Sequence, residues 1–189
     1  AAPVVNAGLA WHNVSMSTGT PDSTTQAVVT GASSGIGRQV AILLARRGFR
    51  LTLIARRSDR LNRLVTELGP AANATTMVAD LADTDATAAA ADRLAAGASV
   101  DVLVNAAGFG LCLPFLEHAD SLDRRLMQVH YFAPVALIRA LLPGMLARRH
   151  GHVSEVPEGR NKQPETIHSV ARLGRSGQEG RATTRVCVI

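Results

Sequence analysis

Lysine is nearly missing from this chain, and aromatic side chains are scarce. Of 20 lysine and arginine residues only Lys162 is a lysine, and Tyr131 is the one tyrosine among 3% aromatics in 189 residues. Any chemistry that pairs a tyrosine with a lysine therefore has one candidate for each role. The scarcity also speaks against nucleic acid as a partner, despite a net charge of +5. No block of like charge is long enough to act as a binding tail, and no aromatics are interleaved with the arginines to stack on bases. With two cysteines, Cys112 and Cys187, the chain cannot build a disulfide framework. Nothing in it reads as a secretory signal, and Cys187 stands third from the end, where prenylation needs it fourth. The cytoplasm is the expected compartment. Long hydrophobic runs are lacking too. Tyr131–Ala147 is apolar but interrupted by Pro134, Arg139 and Pro143, and falls short of the roughly 20 residues a membrane span needs. It reads as a buried helix, with no membrane partner.

What remains is 47% apolar residues, mostly aliphatic and alanine, enough for the core of one domain. Residues 1–24 lack hydrophobic period and read as a flexible leader, of which the part before Met16 has no expected structural role. Residues 25–153 alternate short apolar runs with helical patterns, the signature of βαβ units and a parallel sheet. Strands are expected at 26–30, 51–55, 75–79 and 100–105. Helices are expected over 36–47, from a Ser58 cap to Gly69-Pro70, over 83–96, and from about Asp120 to Arg148. His152-Val153 opens a fifth strand. From Ser154 to Ile189 neither the helical nor the strand period is sustained, and a disordered tail outside the domain is expected.

Between the first strand and first helix stands Thr30-Gly31-Ala32-Ser33-Ser34-Gly35-Ile36-Gly37. A glycine pattern in strand–turn–helix context is a specific sign of a dinucleotide site. Gly31 turns the chain out of the strand, Gly35 admits a pyrophosphate close to the backbone, and Gly37 packs the helix on the sheet. The helix N-terminus offers free N–H groups to phosphate. About 20 residues past such a loop, an acid binds a ribose 2′-hydroxyl and an arginine suits a 2′-phosphate. No acid occurs between Gly37 and Arg57, and the second strand ends in Ala55-Arg56-Arg57. Guanidinium groups grip phosphate in bidentate fashion, so NADP(H) is favoured over NAD(H), with Ser33 and Arg38 as further contacts.

The loop resembles that of the short-chain dehydrogenase/reductase family, TGxxxGxG, and other motifs extend the likeness from Gln26 to about Val153. Asp80-Leu81 matches the family's adenine contact. Asn105-Ala106-Ala107-Gly108 matches its Asn-Asn-Ala-Gly motif, with Ala106 replacing the second Asn. Leu141-Leu142-Pro143-Gly144-Met145 and the following Arg148–Val153 resemble the exit of the long helix into strand five. The resemblance implies an α/β fold: a partial NAD(P)-binding Rossmann domain, a parallel sheet of four to five strands ordered 3-2-1-4, and helices on both faces. It implies cofactor contacts at Gly31, Ser33, Ser34, Ile36, Arg56, Arg57, Asp80, Leu81, Asn105, Ala106, Ala107 and Gly108, together with Gly35 and Gly37.

The family's chemistry is carbonyl reduction or alcohol oxidation by hydride transfer. A tyrosine handles the proton, a lysine four residues on lowers its pKa, and a serine after strand five polarises the carbonyl. Here Val135 stands four residues after Tyr131, Lys162 lies in the tail, and Ser154 comes too early. His130 takes the place of the family's helix asparagine. No catalytic residue carries over, and His150 and His152 lack further metal ligands. Cys112, with no recognisable base partner, reads as a buried or semi-buried thiol. Two functions are weighed. One is an oxidoreductase lineage whose product was broken by truncation or frameshift after the fourth strand and long helix. The alternative is a non-catalytic protein that binds NADP(H) or a partner. Either leaves Leu137, Leu141, Leu142 and Leu146 short of cover, and a homo- or hetero-oligomer through the long helix is one expected remedy.

Overall fold

The computed structural model describes residues 25–110, 117, 119–156 and, as backbone, 170–173. The expected leader, Cys112, Cys187 and Lys162 lie outside the described residues.

Five strands, β1 (Gln26–Thr30), β2 (Arg50–Ala55), β3 (Ala74–Val78), β4 (Val102–Asn105) and β5 (Gly151–Glu155), form a parallel sheet in the order β3-β2-β1-β4-β5. The order 3-2-1-4 is the one expected from the sequence. β1 is fully enclosed, because it is paired on both sides and covered on both faces. The alternation of its side chains divides the core in two. Ala27 and Val29 join Leu51, Leu53, Val102 and Val104 on one face, beneath α1 (Gly35–Arg46) and α2 (Ser58–Leu68). Val28, Ile54 and Leu103 point to the other, beneath α3 (Thr84–Ala96) and the long helix. Successive Cβ atoms on a strand point to opposite faces, so buried strands read as continuous apolar runs.

Caps mark the helix starts unevenly. Asp83 accepts a hydrogen bond from Ala86 N at 2.8 Å and caps α3. Ser58 does not cap α2 as the sequence suggested; it is the helix's first residue. Arg57 takes the cap position in extended conformation, without a side-chain cap bond.

The long helix runs through α4 (Asp120–Met127), a π segment (Gln128–Phe132) and α5 (Ala133–Arg148). Pro134 lacks an N–H and its ring crowds the carbonyl of His130. A locally widened turn relieves both, hence the π segment just before it. By length and composition the 29-residue stretch could span a membrane, so its length does not exclude that. In the fold its apolar stripe packs on the sheet: Leu137, Leu141 and Met145 are buried. That burial corrects the expectation of missing cover, which holds only for exposed Leu146 and in part for Leu142.

The tail's first residues extend β5 past Val153 to Glu155. Val170–Leu173 forms a sixth strand, β6, antiparallel to β5, which the sequence reading did not provide.

Candidate functional site

A cleft of about 320 Å³ opens at the carboxyl ends of β1, β2, β3 and β4. It sits where the strand order reverses, the usual ligand crevice of an open α/β sheet. β1 leads into it through Gly31, at φ +67°. A Cβ there would overlap the Ala106 carbonyl oxygen and stand 2.8 Å from Ala107 Cα, so only glycine lets the two strand exits meet. At Gly37 a Cβ would lie 2.7 Å from the Gly31 oxygen and 2.9 Å from the Thr30 oxygen. That closeness seats α1 on the strand end. At Gly35 nothing would lie within 4 Å, leaving the loop's backbone open to the cleft.

Thr30, 1% exposed, ties the exits together. Its Oγ1 accepts from Ala106 N and Ala107 N, both at 3.0 Å. Sequence reasoning did not single it out, although it is the first residue of the glycine motif. Its hydroxyl satisfies two backbone donors that no strand partner reaches. Beneath them Asn105 is buried, its Nδ2 donating to Glu155 Oε1 at 2.8 Å, while its Oδ1 has no hydrogen-bond partner among the described residues. Burial raises the Glu155 pKa above the ordinary carboxylate range, with the Asn105 hydrogen bond opposing the shift.

The structure brings the sequence-designated residues together with three exceptions, Gly37, Arg38 and Asn105. Gly31, Ser33, Ser34, Gly35, Ile36, Arg56, Arg57, Asp80, Leu81, Ala106, Ala107 and Gly108 line the cleft. Gly37 and Asn105 do not; they shape it from behind and below. Also lining it are Phe109, Val129 and Val156, which the sequence reading missed, and His130, which it placed at the family's helix asparagine; the π segment carries in Val129 and His130. His130 Nε2 lies 3.2 Å from Phe109 N and 3.0 Å from Phe109 O, so one tautomer accepts and the other donates.

Positive charge gathers at the rim. Arg57 donates to Ser33 Oγ at 3.2 Å and Ser34 Oγ at 2.9 Å, linking the end of β2 to the glycine loop. Arg56 Nε lies 3.9 Å from Asp80 Oδ1, and Arg125 approaches Asp80 Oδ2 to 3.6 Å. The first turn of α1 has no acid, and its cap Ser34 makes no side-chain cap bond, leaving the helix N-terminus free for an anion. Arg38 is not a cleft residue: it pairs with Glu67 of α2. This set fits a dinucleotide, with a glycine cradle and an open helix terminus for its phosphates. Tyr131 is not in the cleft lining; it is half-exposed and packs edge-on against Phe132, with centroids 5.2 Å apart. Among the described residues no cluster of three or more His, Cys, Asp or Glu side chains is placed to hold a metal.

Known proteins share this arrangement. The chain is 40% identical over 134 residues to dehydrogenase/reductase SDR family member 7B of Bos taurus, a match covering 67% of this chain and 41% of that protein. It thus spans about two fifths of that relative's length. A metagenomic short-chain oxidoreductase solved in complex with NADP is 37% identical with a TM-score of 0.67, over 75% of this chain and 66% of that one. A short-chain dehydrogenase from Sphingobium yanoikuyae in complex with NADPH is 31% identical with a TM-score of 0.67, over 69% and 52%. The family model described as short chain dehydrogenase matches residues 25–164, reaching past Val153. With fold, cleft and sequence in agreement, the chain belongs to the short-chain dehydrogenase family.

Proposed function

We propose that this chain binds NADP(H) in the cleft, in a lineage of NADP(H)-dependent carbonyl reductases and alcohol dehydrogenases, and that the 189-residue chain does not itself turn over substrate. The observation that carries the cofactor choice is the pair Arg56 and Arg57 beside Ser33 and Ser34, at the strand end where an NAD(H) site has a carboxylate. Arg57 and the two serine hydroxyls form a donor cluster for a phosphate, and Arg56 stands next to it. Asp80 and Leu81, which the family resemblance puts at the adenine, also line the cleft. Two related structures were solved with NADP or NADPH, in support of the same choice.

The bound cofactor would supply a hydride donor or acceptor; the protein must supply the proton. A tyrosine near pKa ~10 needs a neighbouring cation to serve at neutral pH. Tyr131 has Val135 where that cation belongs, and it does not line the cleft. His130 does line the cleft, but its Nε2 is engaged with the Phe109 backbone. Thr30 and Asn105 act as scaffold, holding the exit of β4 against β1 and β5. Self-association through the exposed Met127, Tyr131, Phe132 and Leu146 of the long helix belongs to the same proposal.

The test is a fluorescence titration of NADPH and NADH against the wild type and the Arg56→Ala/Arg57→Ala variant. Losing one charge-assisted hydrogen bond costs about 1.5–3 kcal/mol, roughly ten- to a hundredfold in affinity. NADPH should bind the wild type more tightly, and the variant should lose that preference. Equal wild-type affinities would overturn the assignment. In parallel, NADPH absorbance with a panel of aldehydes and ketones should stay flat; any turnover would refute the inactivity, and turnover that survives Tyr131→Phe would put the proton donor elsewhere.

A further inference from the structure

Asp80 is shared between cations from two sides of the cleft mouth. Arg56 reaches it from the end of β2, and Arg125 from α4 on the long helix. Ala82 N also donates to Asp80 Oδ1 at 3.0 Å, fixing the carboxylate's orientation. The two arginines differ in place: Arg56 lines the cleft, whereas Arg125 is not part of the lining. Arg56 therefore faces competing claims, from Asp80 and from an anion in the cleft, and Arg125 faces only the first.

We propose that Arg125 is a specificity-positioning residue. By neutralising Asp80 from outside the cleft, it leaves the Arg56 guanidinium available to a ribose 2′-phosphate. It also spares that phosphate the field of an uncompensated carboxylate. The inference rests on the NADP(H) reading above. A cofactor without the 2′-phosphate does not recruit Arg56, so Arg125 should matter little to it. The three side chains are 53%, 52% and 38% exposed for Arg56, Arg125 and Asp80. The coupling is therefore screened by solvent and modest in size, and it fades as the Debye length shrinks to about 3 Å in 1 M salt.

Equilibrium titration of NADPH and NADH against the wild type, Arg125→Gln, Asp80→Asn and the double variant tests this. Arg125→Gln should weaken NADPH about two- to fivefold and leave NADH unchanged, in line with the strength of exposed ion pairs. The loss should shrink in high salt. Asp80→Asn should cancel it, so that the double variant binds NADPH as Asp80→Asn does. A purely structural role for Arg125 would weaken both cofactors alike and would ignore salt. That result, or no change at all, overturns the inference while the cofactor assignment stands. If Arg125→Gln does not fold, Arg125→Lys takes its place: retained preference supports the charge role, and lost preference contradicts it. A wild type with no preference for NADPH removes the cofactor reading itself, and this inference with it.

Discussion

At the residue scale, the site depends on polar atoms that cannot turn to water. Thr30 Oγ1 is the partner of two backbone N–H groups, Ala106 and Ala107, at the meeting of the two strand exits. Thr30→Val keeps the shape and removes the acceptor. Each donor left unsatisfied in a buried site costs about 1–3 kcal/mol. With two donors left unsatisfied, urea unfolding should show a loss of about 2–6 kcal/mol for Thr30→Val and a much smaller one for Thr30→Ser, which keeps the hydroxyl. Equal losses would assign the effect to packing instead. The glycine loop and the paired arginines were legible in the sequence because their chemistry is local, a few residues with fixed spacing. Thr30's role was not legible, because its partners lie on a strand brought alongside only by the sheet.

At the element scale, β4 and β5 are joined by their ladder and by the Asn105–Glu155 pair in register at its end. Desolvation raises the folded-state pKa of Glu155, so its protonated form is the one the fold favours. That form alone can donate a proton, and Asn105 Oδ1 lacks a donor among the described residues. A raised folded pKa gives stability that is full below the unfolded pKa and is lost as pH rises through the folded value. The window therefore opens at the ordinary carboxylate range and extends upward. Glu155→Gln should be neutral at acidic pH and stabilising at pH 8, as read by urea midpoints at both. An unchanged pH slope in the variant would contradict this. β1, β2 and β4 were readable because burial on both faces makes them continuous apolar runs. β6 was not: Val170–Leu173 is flanked by polar text, and an edge strand needs only backbone partners. The π segment was hidden inside an unbroken helical pattern, and its one signal was Pro134, four residues after His130.

At the scale of the molecule, the sheet's two core layers meet at β1, and the cleft lies at that strand's end. Cofactor binding should therefore be linked to global stability. A ligand that binds only the folded state stabilises by about 2.7 kcal/mol at a hundred times its Kd. Unfolding the 189-residue chain in urea with equal concentrations of NADPH, of NADH and of neither tests the central claim most directly. NADPH should raise the midpoint clearly and NADH much less, with the difference abolished in Arg56→Ala/Arg57→Ala. A midpoint unmoved by NADPH, or moved equally by both cofactors, would contradict the account.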